Sequence, residues 1–204
     1  MLAYHFLRDD FRAGEGSELA WQIGEERVYT GKLKLCVSGY HWAPTWWDAL
    51  ANAPGPVASI VDVDQSEPEM RDGSLKGVSQ RRKLVAARNV ERELRLWGCE
   101  CAERALQRER AVGREPDQRC WDAVAVAKRF AVGEASQDEL AAACEAAWGA
   151  AWGAAWGAAH GAAWGAAWEA AREAAWEEEI AWQKQRLAEI LDAAVVILAP
   201  ASAG

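Results

Sequence analysis

Histidine and aromatic residues gather in the first fifty positions, where they could line a site for a small molecule. We single out four of them as a candidate ligand pocket: His5, Tyr40, His41 and Trp46. A histidine ring exchanges a proton near neutral pH and can orient a polar ligand, and aromatic rings commonly surround such a ligand. The same residue types also build the core of a small domain, and the sequence leaves both interpretations open.

Catalysis requires partner groups at defined spacings, and the sequence does not supply them. It contains no P-loop, dinucleotide-binding fingerprint, Gly-x-Ser-x-Gly turn or His-Glu-x-x-His motif. Cys99 and Cys101 are separated by one residue rather than by the two of a zinc-binding pair. We therefore assign no catalytic residue, no metal site and no cofactor, and we expect the five cysteines to be reduced thiols.

The elements that must position the candidate pocket belong to a small mixed α/β module over residues 1–80. Residues 2–8 are typical of a first strand, and alternating apolar and lysine residues within 27–36 predict further β-structure. Residues 57–63, VASIVDV, form the clearest strand pattern of the chain.

A short helix is expected after the aromatic cluster, followed by a linker. Thr45 and Asp48 have the spacing of a helix-capping box within PTWWDALANA. Residues 64–77 are polar and contain Pro68 and Gly73, so we predict that they form a loop.

Residues 81–198 are predicted to form a helical domain, with a tail at 199–204. Apolar side chains recur at helical spacing from about Leu84 onward. Ser136 and Glu139 have the spacing of a second capping box. The fold class that follows is α+β: a mixed α/β module before an all-α domain rich in alanine and tryptophan, arranged as one long helix or as helical hairpins.

Residues 146–168 repeat the unit Ala-Ala-Trp-Gly, with His160 in place of one tryptophan. Each four-residue step turns a straight helix by about 400°, so successive repeats drift by about 40° around its axis. The tryptophans therefore do not share one face, whereas the small residues let another helix approach closely. Repeat expansion within an alanine-rich helix is compatible with this interpretation. Five tryptophans are candidate helix-packing residues: Trp148, Trp152, Trp156, Trp164 and Trp168.

The charge of the chain disfavours two environments, a nucleic acid and a membrane. The formal net charge is −8, which disfavours a nucleic acid because its phosphates would be repelled. The repeat is uncharged, but alanine and glycine are weakly apolar and its flanks are acidic, which disfavours a membrane span. The first residues lack the pattern of a secretory signal, so we expect a cytoplasmic protein.

Two parts of the chain resemble known families. CECAERAL, DQRCWDAVAVAKRFAVGEASQDELAAACEAAW and WQKQRLAEIL, within residues 94–195, resemble helical immunity proteins of bacterial toxin–immunity systems. YHFLR, LKLCVSGYHWAPTWWDAL and VASIVDV, within residues 1–85, resemble a domain of phage and actinobacterial proteins. The first resemblance implies an immunity role without defined catalytic residues, and the second implies no established activity.

The order of AYHF, SGYH, a helix and an apolar strand is also similar to that of ADP-ribosyltransferases. In that family a histidine and a tyrosine on successive strands hold NAD, and a later glutamate orients the ribose. The resemblance assigns the NAD-contacting pair to His5 and Tyr40, whereas residues 57–63 contain no glutamate.

Taken together, the patterns favour a cytoplasmic protein that binds a partner protein or itself through its helical domain, as an immunity-type or phage accessory protein. The acidic charge, the missing catalytic constellation and the small-residue spacing of the repeat support this interpretation. The alternative is an ADP-ribosyltransferase-like or nucleotide-binding module at the N-terminus, with a small nucleotide as its ligand.

Overall fold

The computed structural model describes residues 1–14, 18–64, 68–71, 73–159 and 166–197, and no side chains within 149–175. The chain forms two compact units. The sheet unit comprises residues 1–91 and the chain from 184 onward, and the helical unit comprises 92–183. Antiparallel sheets belong to the first and helices to the second, which confirms the predicted α+β fold class.

The described strands of the sheet unit form two antiparallel sheets. They are β1 (Leu2–Leu7), β2 (Glu26–Val28), β3 (Tyr40–Trp42), β4 (Val57–Val63), β5 (Glu69–Arg71), β6 (Ser74–Ser79) and β7 (Arg81–Asn89). Four strands pair in the order β1-β4-β7-β2, and three pair in the order β3-β6-β5. Reciprocal backbone hydrogen bonds of 2.9 Å between Tyr4 and Ala43 join β1 to the chain that leaves β3.

One face of the four-stranded sheet forms the main core. Ala3 lies opposite Val61 and His5 lies opposite Ser59, so these four side chains project from the same face. The buried cluster of the unit comprises Ala3, Leu7, Trp21, Trp42, Val57, Val61, Val63 and Leu84. The strand register therefore places His5 between apolar neighbours on the core side of β1.

The other face of β1 carries Tyr4 and Phe6, which pack against the short helix α1 (Trp46–Leu50). The Trp46 ring centroid lies 4.3 Å from that of Tyr4 and 6.0 Å from that of Phe6. The indole N–H of Trp46 also donates to the carboxylate of Asp192 at 2.8 Å. This hydrogen bond brings the C-terminal part of the chain to the sheet unit.

The last turns of helix α5 (Ala166–Ala194) belong to the sheet unit. Leu187, Leu191 and Val195 recur every four residues, so they form one stripe, and each is at most 3% exposed. The sequence pattern predicts these residues within the helical domain, whereas they belong to the sheet unit. A helical period shows which face of a helix is apolar, and it does not show which part of the protein covers that face.

The helical unit contains a helix whose N-terminal capping box forms as predicted. Its described helices are α2 (Glu91–Ala111), α3 (Gln118–Ala131), α4 (Gln137–Ala159) and the first part of α5. Ser136 and Glu139 exchange backbone-to-side-chain hydrogen bonds of 3.1 and 2.8 Å at the start of α4, as predicted. The choice between one long helix and a hairpin falls on residues 160–165, which lie outside the described residues.

A buried carboxylate joins α2 to α5 within the helical unit. Glu179 is 8% exposed and accepts hydrogen bonds from Arg104 at 3.2 Å and from Arg108 at 2.7 Å. The Arg104 guanidinium also lies 4.0 Å from the ring centroid of Trp182. Burial, together with the negative charges of Glu179 and Glu100, raises the pKa of the nearby Cys101 thiol to about 11, so the thiol is protonated.

Two predicted segments have a different structure. Residues 64–77 were predicted to form a loop, yet they contain β5 and the start of β6, which pair around a turn at Gly73 with a φ of 77°. Residues 81–89 were assigned to the helical domain, and they form β7. Pairing with β4 overrides the helical preference of this alanine-containing segment, because β-structure depends on its neighbours.

The β-structure predicted within residues 27–36 is only partly present. β2 ends at Val28, and the chain then makes a turn in which the N–H groups of Val37 and Ser38 donate to the Lys34 carbonyl. Cys36 has a φ of 62°, in the left-handed region. The alternating leucines do not define a strand, because the backbone hydrogen bonds here are used within the turn.

Truncation of Leu191 tests whether the end of α5 supports the sheets. Leu191 is fully buried, so Leu191→Ala should lower the free energy of unfolding of the sheet unit by about 2–5 kcal/mol. Hydrogen exchange at the backbone amides of β4 and β7 measures this change. Leu19, which is 74% exposed, provides the control: Leu19→Ala should change stability by less than about 0.5 kcal/mol. Equal exchange rates in the two variants would contradict the packing described.

Candidate functional site

A cavity of about 240 Å³ lies in the sheet unit beside β1 and β3. Its polar lining comes from distant parts of the sequence: Tyr4, His5, Cys36, His41, Trp42, Asp48, Asn52 and Lys76. β1 supplies the first two, β3 supplies His41 and Trp42, α1 supplies Asp48, and β6 supplies Lys76. The cavity is therefore a product of tertiary structure, at the junction of both sheets and a helix.

His5 has a buried ring nitrogen without a partner. Its backbone carbonyl accepts a hydrogen bond of 2.7 Å from Ser59 Oγ, but its side-chain Nε2 is buried and has no hydrogen-bond partner. Burial lowers the pKa of His5 well below its ordinary value, and the positive charges of Arg82 and of protonated His41 lower it further. The ring is thus neutral at pH 7, and its Nε2 has an unused capacity for a hydrogen bond.

His41 is oriented by the turn that precedes it. Its Nε2 accepts the backbone N–H of Cys36 at 2.7 Å, so the proton of the neutral ring is on Nδ1. Burial lowers the pKa of His41, and the positive charges of Arg82 and Lys76 lower it further. The hydrogen bond from Cys36 requires the same neutral form of the ring.

Trp42 contributes an apolar wall that carries one polar atom. The side chain is 2% exposed, and its indole Nε1–H has no hydrogen-bond partner. The ring lies directly against Gly77, where a Cβ would come within 2.1 Å of a ring carbon. Glycine at this position leaves the space that the indole occupies, and the buried N–H of this cavity-lining residue is an unsatisfied donor.

Asp48 lines the cavity, but its carboxylate is used by the fold. Oδ2 accepts the Thr45 hydroxyl at 2.6 Å, and Oδ1 accepts the backbone N–H of Leu75 at 2.9 Å. Thr45 Oγ1 accepts the Asp48 N–H, which confirms the predicted helix cap. The Asn52 side chain donates to the Asp48 carbonyl and to Ser74 Oγ. These bonds attach α1 to the segment of β6.

A buried guanidinium belongs to the same environment. Arg82 on β7 is 2% exposed, and its guanidinium lies 4.3 Å from the ring centroid of Trp21 and 5.1 Å from that of Tyr40. Its Nη1 donates to the His41 carbonyl at 3.2 Å, and its Nη2 lies 4.0 Å from the Glu18 carboxylate. Burial lowers the pKa of Arg82 to about 10, so the group is charged at neutral pH.

The structure brings two of the four predicted pocket residues to the cavity, namely His5 and His41. Tyr40 instead packs edge-on against Trp21, with 5.5 Å between ring centroids. Trp46 packs on the opposite face of β1, against Tyr4 and Phe6. The cavity is bounded by adjacent residues of β1 and of β3 together with residues of α1 and β6, so its lining depends on how these elements pack, which sequence proximity alone did not show.

Trp42 and Lys76 line the cavity, and we had not assigned them to the pocket. Trp42 was visible in the aromatic cluster, but a sequence does not distinguish a core indole with a bonded N–H from one without. Lys76 lies in the segment predicted as a loop. The pairing of β3 with β6, in which Trp42 lies opposite Gly77, brings it beside the histidines.

The helical unit exposes indole rings near both ends of the repeat. Trp148 is 69% exposed, and Trp176, which was not a predicted packing residue, is 66% exposed. The side chains of the other four candidates, Trp152, Trp156, Trp164 and Trp168, lie outside the described residues. The described helices therefore present large aromatic groups to solvent, where an interface could cover them.

Comparison with known proteins assigns the chain to no family: no family model, no curated protein and no solved structure matches it. Within the described ranges, no helix combines the length and the apolar character needed to cross a bilayer. Among the same residues, no group of three or more His, Cys, Asp or Glu side chains is placed to hold a metal ion. Functional inference therefore starts from the cavity itself.

The two neutral histidines make stability depend on pH. Because the pKa of His5 and that of His41 are lowered on folding, the unfolded chain binds more protons below the ordinary histidine pKa of about 6.5. The stability that the two neutral histidines contribute is therefore fully present above pH 6.5 and is lost as the pH falls below that value. For His5 the free energy of unfolding falls by about 1 kcal/mol per pH unit. Urea unfolding at pH values on both sides of 6.5 measures the loss.

The control for this titration is His5→Gln, which replaces the imidazole with a side chain that does not bind a proton. The variant should lose less stability than the parent protein over the same fall in pH, and His41→Gln should have a smaller effect because solvent reaches His41 more easily. Equal losses in the parent protein and in both variants would show that these histidines do not control the transition.

Proposed function

We propose that this protein acts by binding, and that its sheet unit holds a small polar ligand in the cavity beside β1 and β3. The observation that carries this proposal is a pair of buried polar atoms, Trp42 Nε1 and His5 Nε2, that have no hydrogen-bond partner. Buried polar groups in folded proteins are almost always hydrogen-bonded, because an unpaired one costs about 1–3 kcal/mol. A ligand that supplies the missing bonds would remove this cost.

The arrangement supports binding more than catalysis. A histidine that acts as a general base needs a free nitrogen and a partner that orients the ring. The His41 Nε2 is occupied by the Cys36 N–H, and the Asp48 carboxylate is occupied by Thr45 and Leu75. The His41 Nε2 and the Asp48 carboxylate are therefore committed to bonds within the fold, which favours recognition over general-base catalysis by these two groups.

The size of the cavity favours a ligand smaller than a dinucleotide. Its volume of about 240 Å³ is below the roughly 300–1,000 Å³ typical of pockets for drug-sized ligands. Tyr40, which the ADP-ribosyltransferase resemblance assigns to NAD, packs on Trp21 and does not line the cavity. These observations favour a small polar compound over the nucleotide alternative, which the experiment below includes.

The proposal is tested by titrating the full ¹⁵N-labelled chain with small polar compounds and with NAD, following the indole N–H signal of Trp42. Trp42→Phe identifies that signal among the 13 tryptophans. We expect acetate, acetamide or ethylammonium to shift it, and we expect His5→Gln to weaken binding about fivefold because one hydrogen bond is lost.

The matched control is Tyr40→Phe, which keeps the ring against Trp21 and should leave binding unchanged. If NAD binds and Tyr40→Phe abolishes its binding, the nucleotide alternative is supported in place of the small ligand. If no compound moves the Trp42 signal, the cavity is not a binding site.

A second candidate function concerns the helical unit, which we propose associates with a partner protein or with a second copy of the chain. The supporting observation is the exposure of Trp148 and Trp176, at 69% and 66%. Large aromatic side chains are enriched at protein interfaces and add substantial apolar area when buried. The resemblance to immunity proteins makes a toxin in the same cytoplasm the first partner to test, and a phage protein the next.

Light scattering over a wide range of protein concentrations, with and without the candidate partner, tests this second proposal. We expect a complex or a self-associated species that the double variant Trp148→Ala, Trp176→Ala weakens about tenfold or more. Leu19→Ala removes an exposed apolar side chain from the sheet unit and should have no effect. A strictly monomeric protein that binds no partner would contradict helix-mediated association.

A further inference from the structure

The charges and hydrogen-bond donors around the cavity identify a class of ligand. On the basis of the binding function proposed above, we infer that the cavity of the sheet unit binds a small oxyanion, with a carboxylate or a phosphate as its head group. Three properties of the cavity and its surroundings favour this class: a cationic side chain in the lining with a buried guanidinium near it, N–H donors without partners, and a carboxylate whose oxygens are already occupied.

The cationic side chains come from two strands. Lys76 on β6 lines the cavity, and Arg82 on β7 is almost fully buried next to the histidines. The positive charge of Arg82 acts on His5 and on His41, and that of Lys76 acts on His41. Both imidazoles therefore experience a positive potential, and an anion placed beside them would be attracted, strongly so because the site is partly shielded from water.

The donors are the indole of Trp42 and the imidazole of His5. Trp42 Nε1 can only donate a hydrogen bond, and it has no acceptor within the protein. A neutral imidazole can carry its proton on either nitrogen, so His5 can present an N–H at its unpaired Nε2. An oxyanion has several acceptor lone pairs and could satisfy both groups, whereas an apolar ligand would leave them unpaired.

The remaining charged group of the lining is Asp48, which is poorly placed to bind a cation. It is 9% exposed, and its two oxygens accept hydrogen bonds from Thr45 and Leu75. A cationic ligand would also have to approach Lys76, and it would be repelled by that charge and by the buried Arg82 nearby. The lining thus discriminates between ligands by charge as well as by size.

Matched probes separate the charge of a ligand from its shape. Acetate and acetamide have nearly the same shape and differ in charge, ethylammonium carries the opposite charge, and inorganic phosphate is the second oxyanion. Each is titrated at low salt into the full chain at constant pH, following the indole N–H of Trp42 and the ring signals of His5. We expect acetate or phosphate to bind about tenfold more tightly than acetamide, and ethylammonium to bind most weakly.

Two lysines of the sheet unit provide the matched variants. Lys76→Met removes the charge that lines the cavity and should weaken oxyanion binding about fivefold, whereas Lys76→Arg keeps the charge and should retain it. Lys83→Met makes the same substitution at an exposed position of β7 and should change affinity by less than about twofold.

The outcomes distinguish this inference from the binding function on which it rests. If acetamide or ethylammonium binds as tightly as both oxyanions, the ligand class is wrong and the cavity remains a binding site. Equal weakening by Lys76→Met and Lys83→Met would assign the effect to the net charge of the protein and would also overturn the oxyanion site. If no probe shifts Trp42 or His5, both proposals fail.

Discussion

The buried guanidinium of Arg82 is the constraint on which the sheet unit depends. A charge removed from water is costly unless nearby groups compensate for it. Here the compensation comes from the rings of Trp21 and Tyr40 and from the carbonyl of His41. β7 supplies the arginine, and β3 supplies the tyrosine and the carbonyl, so one set of contacts holds the two sheets together. Burial lowers the pKa of the neighbouring histidines and the same charge lowers it further, which links the packing of the unit to the chemistry of its cavity.

Around this charge, most polar groups of the cavity are satisfied by bonds within the protein. The Cys36 N–H bonds to His41, and the Asp48 carboxylate joins α1 to the backbone of Leu75. Two nitrogens, on Trp42 and on His5, are the exceptions. Bonded polar groups around two unpaired nitrogens give the arrangement expected of a preformed binding site, because the protein holds the recognition groups in place before a ligand arrives.

Structural features that depend on only a few neighbouring residues were predicted correctly from the sequence. The capping pair Ser136–Glu139 forms the predicted hydrogen bonds, since a cap depends only on the first turn of its own helix. The strand at residues 57–63 was also predicted correctly, because it is apolar along almost its whole length. β5, β6 and β7 were missed. β5 and β6 are short strands that form a hairpin, β6 also pairs with the distant β3, and β7 is held by its pairing with β4, so these strands depend on their partners more than on the β preference of their own residues.

The sequence by itself determined the α+β class, the helical character of the later segments and the presence of histidines and aromatic residues in the first module. Only the tertiary structure decided which of them share a cavity: His5 and His41 meet there with Trp42, whereas Tyr40 and Trp46 pack elsewhere. The physical reason is that the cavity lies where two sheets, a helix and a turn meet. These elements are distant in sequence, so the way they pair and pack, which composition does not reveal, determines whether a residue faces the core, the cavity or solvent.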